Sequence, residues 1–208
     1  MIFFSYILLA FIGLILTIII IGKINRKTEV QPSEPIPDMV FITNSLRGAT
    51  IQILETVYIL ETTVNIDTFA SRLRFLKERA KFVSPYANNE VYNNIVSTGL
   101  LLYQKQYPNI LISELQREIL ASPLKVYSDD FNATIRTNFF KRYCDRVYNE
   151  IKKLKQEAAK EKRRSKVIET AKLILSGLNK SQKNYHQVVV EQLKRFDVTL
   201  KIRYEEDK

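Results

Sequence analysis

Apolar residues fall into two regimes along this chain, an unbroken run at the start and a helical rhythm afterwards. Residues 2–22 carry no charge and are dominated by Ile, Leu and Phe. At about 1.5 Å of rise per residue, such a run is long enough to cross the hydrocarbon core of a bilayer as one helix. No cation precedes it, no small-residue cleavage site follows it, and Lys23, Arg26 and Lys27 come directly after. That flank predicts an uncleaved anchor over 1–22 rather than a signal peptide. Cations gathered on the C-terminal side predict a single-pass protein of the cell (inner or plasma) membrane with its C-terminal domain cytoplasmic. Residues 23–39 turn polar and include Pro32, Pro35 and Pro37, which disfavour helix and predict a semi-extended linker.

From residue 40 to 208 the pattern predicts one all-α domain, a helical bundle with one long basic helix. A first helix over 46–62 carries two adjoining apolar stripes, Ile51, Leu54, Tyr58 and Ile53, Val57, Leu60. Asn65 and Asp67 offer caps for a second over 68–83, with Phe69, Leu73, Leu76 and Ala80 inward, ended by Ser84-Pro85. A third, over 88–106, has Val91, Ile95, Leu101 and Leu102 as core candidates, and a capping box at Ser113 to Gln116 opens a short fourth that stops near Pro123. The longest element should start near Ser128-Asp129-Asp130 and continue through Phe140, Tyr143, Val147, Ile151, Leu154 and Ala158. A bend or break near Ser165 would lead into Val167, Ala171, Ile174 and Leu175, with Gly177 as a left-handed cap and Leu178 folding back. A last helix over 184–196 precedes Val198 to Tyr204, which alternates like a strand but has only Ile110 to Ile112 as a partner.

Charge changes the picture in one place. Lys141 to Lys183 holds 14 Lys and Arg against 5 Asp and Glu, a net of +9 within a chain total of +10. Its densest part is Lys152, Lys153, Lys155, Lys160, Lys162, Arg163, Arg164 and Lys166, a candidate polyanion-binding ridge. Anionic lipid at the membrane the chain is tethered to is one partner, and nucleic acid the less favoured one, because aromatic residues are not interleaved with the charges. A solvated face partly paired with Glu157, Glu161 and Glu169 is the plainer account of the same residues.

Candidate chemistry is sparse. Cys144 is the single cysteine and lies in an apolar-periodic stretch, where it acts as a small hydrophobe and forms no intrachain disulfide. With His186 the single histidine, zinc sites built on several histidines lack ligands, and a Ser-His-Asp triad or a Cys-His dyad with Cys144 lacks context. Asp129-Asp130 reads as helix capping before it reads as a cation site. No glycine-rich phosphate loop or dinucleotide fingerprint occurs, so no catalytic residue, metal or cofactor is expected.

The string ETTVNIDTFASRLRFL at 61–76 resembles a segment of uncharacterised helical proteins of Gram-positive bacteria and their phages. The matching residues are Asn65, Asp67, Thr68, Phe69, Ser71, Arg72 and Phe75. The resemblance implies a helical fold and no catalytic role. Capping by Asn65 and docking of Phe69 explain the segment locally; a binding account would give Arg72, Arg74 and Arg79 to an anion. The expectation is therefore a membrane-tethered, non-catalytic interaction or scaffold module. It would be held in the membrane by residues 2–22 and recruit a protein partner or self-associate, with polyanion binding as the alternative.

Overall fold

The computed structural model describes residues 39–198. The expected anchor over 1–22, the linker up to 38 and the strand-like stretch from 199 lie outside the described residues. Among the described residues no helix is long and apolar enough to cross a membrane. The chain divides into two units, Met1–Ile42 and Thr43–Lys208, and the second holds the bundle.

The fold is all-α. Helices α1 (Met39–Thr62), α2 (Ile66–Val83), α3 (Glu90–Gln106), α4 (Glu114–Ala121), α5 (Asp129–Lys153), α6 (Glu157–Leu175) and α7 (Lys183–Lys194) follow in order, with 3-10 turns at Ser84–Tyr86 and Pro123–Tyr127. Caps set most of the starts. Asn65 Oδ1 accepts from Thr68 N at 2.9 Å, Asn89 Oδ1 from Val91 N at 2.9 Å, and Ser128 Oγ from Phe131 N at 3.2 Å. Ser113 and Gln116 form the reciprocal box that opens α4. Gln116 is itself buried, and its amide also donates to Leu54 O at 2.7 Å, so one cap joins α4 to α1.

The core gathers Ile53, Leu54, Val57 and Leu60 of α1, Phe69, Leu73, Leu76 and Ala80 of α2, and Phe139, Phe140 and Cys144 of α5. Phe69 stacks on Phe139 with centroids 4.4 Å apart. Burying each of the Val, Leu, Ile and Phe side chains stabilises the fold by about 1.5–3 kcal/mol. The four inward positions expected on α2 are all buried. On α1, Tyr58 is exposed instead, because the buried arc is centred on Leu54, Val57 and the stripe beside them.

Three expectations are corrected. On α3, Val91, Leu101 and Leu102 are exposed, and the buried arc is Tyr92, Ile95, Gly99 and Tyr103. The single long basic helix is two: α5 stops at Lys153, residues 154–156 reverse the chain, and α6 runs unbroken through Ser165. Ala158, expected on the apolar stripe, is exposed. Gly177 has no positive φ, and the left-handed residue in this region is Asp197, after α7. Leu178 does fold back and is buried.

Helix directions follow from a few contacts. Residues 63–65 join α1 to α2. Phe69 meets Phe139 while Tyr127, just before α5, donates to Lys77 O at 2.8 Å, so α5 is antiparallel to α2. Arg142 Nη2 of α5 donates to Leu60 O at 2.6 Å. It supplies a cation to the last turn of α1, which has no basic residue of its own.

Candidate site at the basic turn

The break between α5 and α6 decides where the cations go. Leu154 and Gln156 both take extended backbone angles, and α6 then packs back along α5. The eight basic positions expected on one ridge are thereby folded about a turn. Lys152 and Lys153 close α5, Lys155 lies between the helices, and Lys160, Lys162, Arg163, Arg164 and Lys166 lie in the first half of α6. That half contains no buried residue, since Val167, Thr170, Ala171 and Ile174 are the buried positions of α6. Between 151 and 166 there are eight Lys and Arg against Glu157 and Glu161, a net of +6.

Some of these charges are committed. Lys160 Nζ is 3.0 Å from Glu157, and Arg164 Nη1 is 3.0 Å from Glu157 and 3.2 Å from Glu161. Those hydrogen bonds from Lys160 and Arg164 hold the Glu157 carboxyl below its usual range. Arg163 reaches across the hairpin to Glu150 of α5 at 3.5 Å. Lys152 stands over the Tyr148 ring at 4.4 Å, the same ring that carries Arg195 at 5.0 Å. Lys153, Lys155, Lys162 and Lys166 make no ion pair among the described residues. Lys162, Arg163 and Lys166 surround a cavity of about 290 Å³ whose floor is Leu154 and Ala159.

A second groove continues from the turn. Arg163, Lys166 and Glu169 of α6, with Arg146 and Glu150 of α5, face Val64 and Asn65 of the α1–α2 connection and Ile66 and Asp67 at the start of α2. The basic turn therefore lies at the α1–α2 end of the bundle. Thr43, where the bundle begins, is 19 residues before Thr62 at the end of α1, about 28 Å along that helix axis.

Sequence reasoning located the cations but missed Glu150, whose carboxylate joins both Arg163 and Arg146 (2.9 Å). Its i,i+4 spacing from Arg146 was the available signal. The other candidate groups have structural explanations. Cys144 is fully buried, and burial pushes its thiol up to about 12, so it is neither ionised nor accessible at neutral pH. His186 is buried, and burial lowers its pKa. Asp129 accepts from Asn179 at 3.0 Å and Asp130 from the Tyr185 hydroxyl at 2.5 Å, which ties the start of α5 to the α6–α7 connection and the first turn of α7. No group of three His, Cys, Asp or Glu with metal-binding geometry occurs among the described residues. In the segment at 61–76, Asn65 caps, Phe69 docks, Ser71 and Arg72 are exposed, and Arg79 covers the Phe75 ring at 4.9 Å.

Comparison of the chain with protein families, with curated proteins and with solved structures gave no match.

Proposed function

We propose that this chain is a membrane-tethered, non-catalytic interaction module that presents its α5–α6 turn to an acidic protein partner in the cytoplasm. The anchor part of this reading rests on the uncharged run at 2–22 and the cations at 23, 26 and 27. The observation that carries the partner is the placement of the basic turn. Within the bundle the turn lies beside the α1–α2 connection, at the other end of α1 from Thr43. Four lysines there lack a carboxylate partner among the described residues, which leaves them available to an acidic surface.

The test uses the full chain in zwitterionic nanodiscs as bait in nuclease-treated lysate at moderate salt, beside a variant with Lys153, Lys155, Lys162 and Lys166 changed to Glu. A stoichiometric acidic protein held by the wild type and lost by the variant supports the reading. Identical captured proteins on both baits would sink it. A second reading, binding of anionic lipid, is favoured by one feature: half-buried Leu154 sits among Lys152, Lys153 and Lys155. It predicts co-sedimentation with phosphatidylglycerol vesicles and none with phosphatidylcholine alone.

A further inference from the structure

A second group of cations lies away from the turn, in a cavity of about 320 Å³ between α2, α5 and α6. Ile66, Phe69, Ala70 and Leu73 of α2 and Leu173 of α6 give it apolar walls. Arg74 and Lys77 enter from α2, one turn apart, and Arg136 enters from α5. No carboxylate lines it, and none of the three cations makes an ion pair among the described residues.

Arg136 is half-buried, its guanidinium against Gly177. Its Nε is buried and has no hydrogen-bond acceptor in the structure. Behind the guanidinium is Gly177, where a Cβ would fall 2.5 Å from Arg136 Nη1 and 2.7 Å from its Nε. The glycine thus leaves room for the guanidinium at a place where its φ is ordinary. Lys77 stands 5.7 Å from the Tyr127 ring centre, and the Tyr127 hydroxyl fixes the backbone at Lys77. Burial lowers the Lys77 pKa, and the positive charge of Arg136 lowers it further. Burial lowers that of Arg136 as well.

Half-burying two like charges within each other's field costs free energy, and an anion between them would recover it. A guanidinium offers a planar fork suited to a carboxylate or phosphate, and an ammonium a point charge beside it. The apolar walls add the other half of a small-molecule site, at the lower end of the usual 300–1,000 Å³ range. We propose that this cavity binds a small organic anion, its phosphate or carboxylate between Arg136 and Lys77 with Arg74 at the rim, and its apolar body against Phe69 and Leu73. The site is separate from the basic turn, so the two can fail independently.

The test is calorimetric titration of the full chain in phosphatidylcholine nanodiscs with phenyl phosphate, benzoate and inorganic phosphate. Saturable binding of phenyl phosphate or benzoate is expected, and whichever binds identifies the head group. Lys77→Met should weaken it at least ten-fold, as should Arg136→Met, while Lys155→Glu at the basic turn leaves it unchanged. Lys77 is half-exposed, so its variant keeps the test meaningful should the Arg136 variant misfold. No binding of either aromatic anion, equal binding by the Lys77→Met protein, or inorganic phosphate binding as tightly as phenyl phosphate would each overturn the proposal.

Discussion

Tyr92 and Tyr103 show what a side chain's polar tip does to its legibility. Ranked by hydropathy, Leu101 and Leu102 are better core residues than either tyrosine, yet they are exposed and the tyrosines are buried. The Tyr92 hydroxyl donates to Leu120 O at 3.2 Å, and that bond makes burial of the ring affordable. Gly99, on the same arc, brings α3 so close to α1 that a Cβ there would lie 2.7 Å from Thr50 Cγ2. Neither partner can be read from α3 itself. Cys144 was legible because its apolar neighbours on α5 are local in sequence. Its burial sets a pH dependence. The folded thiol titrates near 12 and the unfolded one near 9.0, so below pH 9 both are protonated and contribute no slope. Above 9 the unfolded chain releases a proton that the folded one keeps, and stability falls by about 1.4 kcal/mol per pH unit per group. Tyr92, raised to about 12 from 10.0 by burial, adds to the slope only above 10. Urea midpoints of residues 39–208 between pH 8 and 11 should therefore show a decline beginning near 9. Cys144→Ala should offset the curve at every pH and flatten it between 9 and 10; an unchanged slope would mean that the thiol ionises in the folded state.

At the scale of elements, most helices were legible from their caps, and the junction of α5 with α6 was not. Ile151, Leu154 and Ala158 keep a helical spacing straight across it, and 154–156 contains neither proline nor glycine. Nothing local stops the helix. Tertiary packing does: Val167, Ala171 and Ile174 are buried where α6 returns along α5 and meets α7. A tertiary stop leaves a local defect. Gln156, the N-cap of α6, makes no side-chain cap hydrogen bond, unlike Asn65, Asn89, Ser113 and Ser128. Gln156→Ser should then supply the missing acceptor without altering the charge of the turn. The expected gain is about 0.5–1 kcal/mol, read as a higher urea midpoint with an unchanged denaturant slope. A lower midpoint would show that the turn depends on the glutamine in another way.

For the whole molecule, the charge asymmetry was visible in the sequence, whereas its placement depends on how helices far apart in sequence come together. The +9 over 141–183 is a property of composition; that it concentrates beside the α1–α2 connection follows from the reversal after α5 and the antiparallel packing of α2 on α5. The same reason hides the α2–α5–α6 cavity, since Lys77 and Arg136 are 59 positions apart in the sequence. A concentrated pole has a distinct signature in salt. At physiological ionic strength the screening length is about 8 Å, so exposed lysines act on a partner docked against them and hardly beyond. Affinity for an acidic partner should fall steeply between 50 and 300 mM salt, and replacing Lys153, Lys155, Lys162 and Lys166 by Gln should flatten that dependence. Because these side chains are exposed and without carboxylate partners, the same four changes should shift folding stability by less than about 1 kcal/mol. Salt-independent binding would place recognition on apolar contacts elsewhere on the bundle. A large loss of stability would instead make the lysines part of the scaffold that holds α6 against α5.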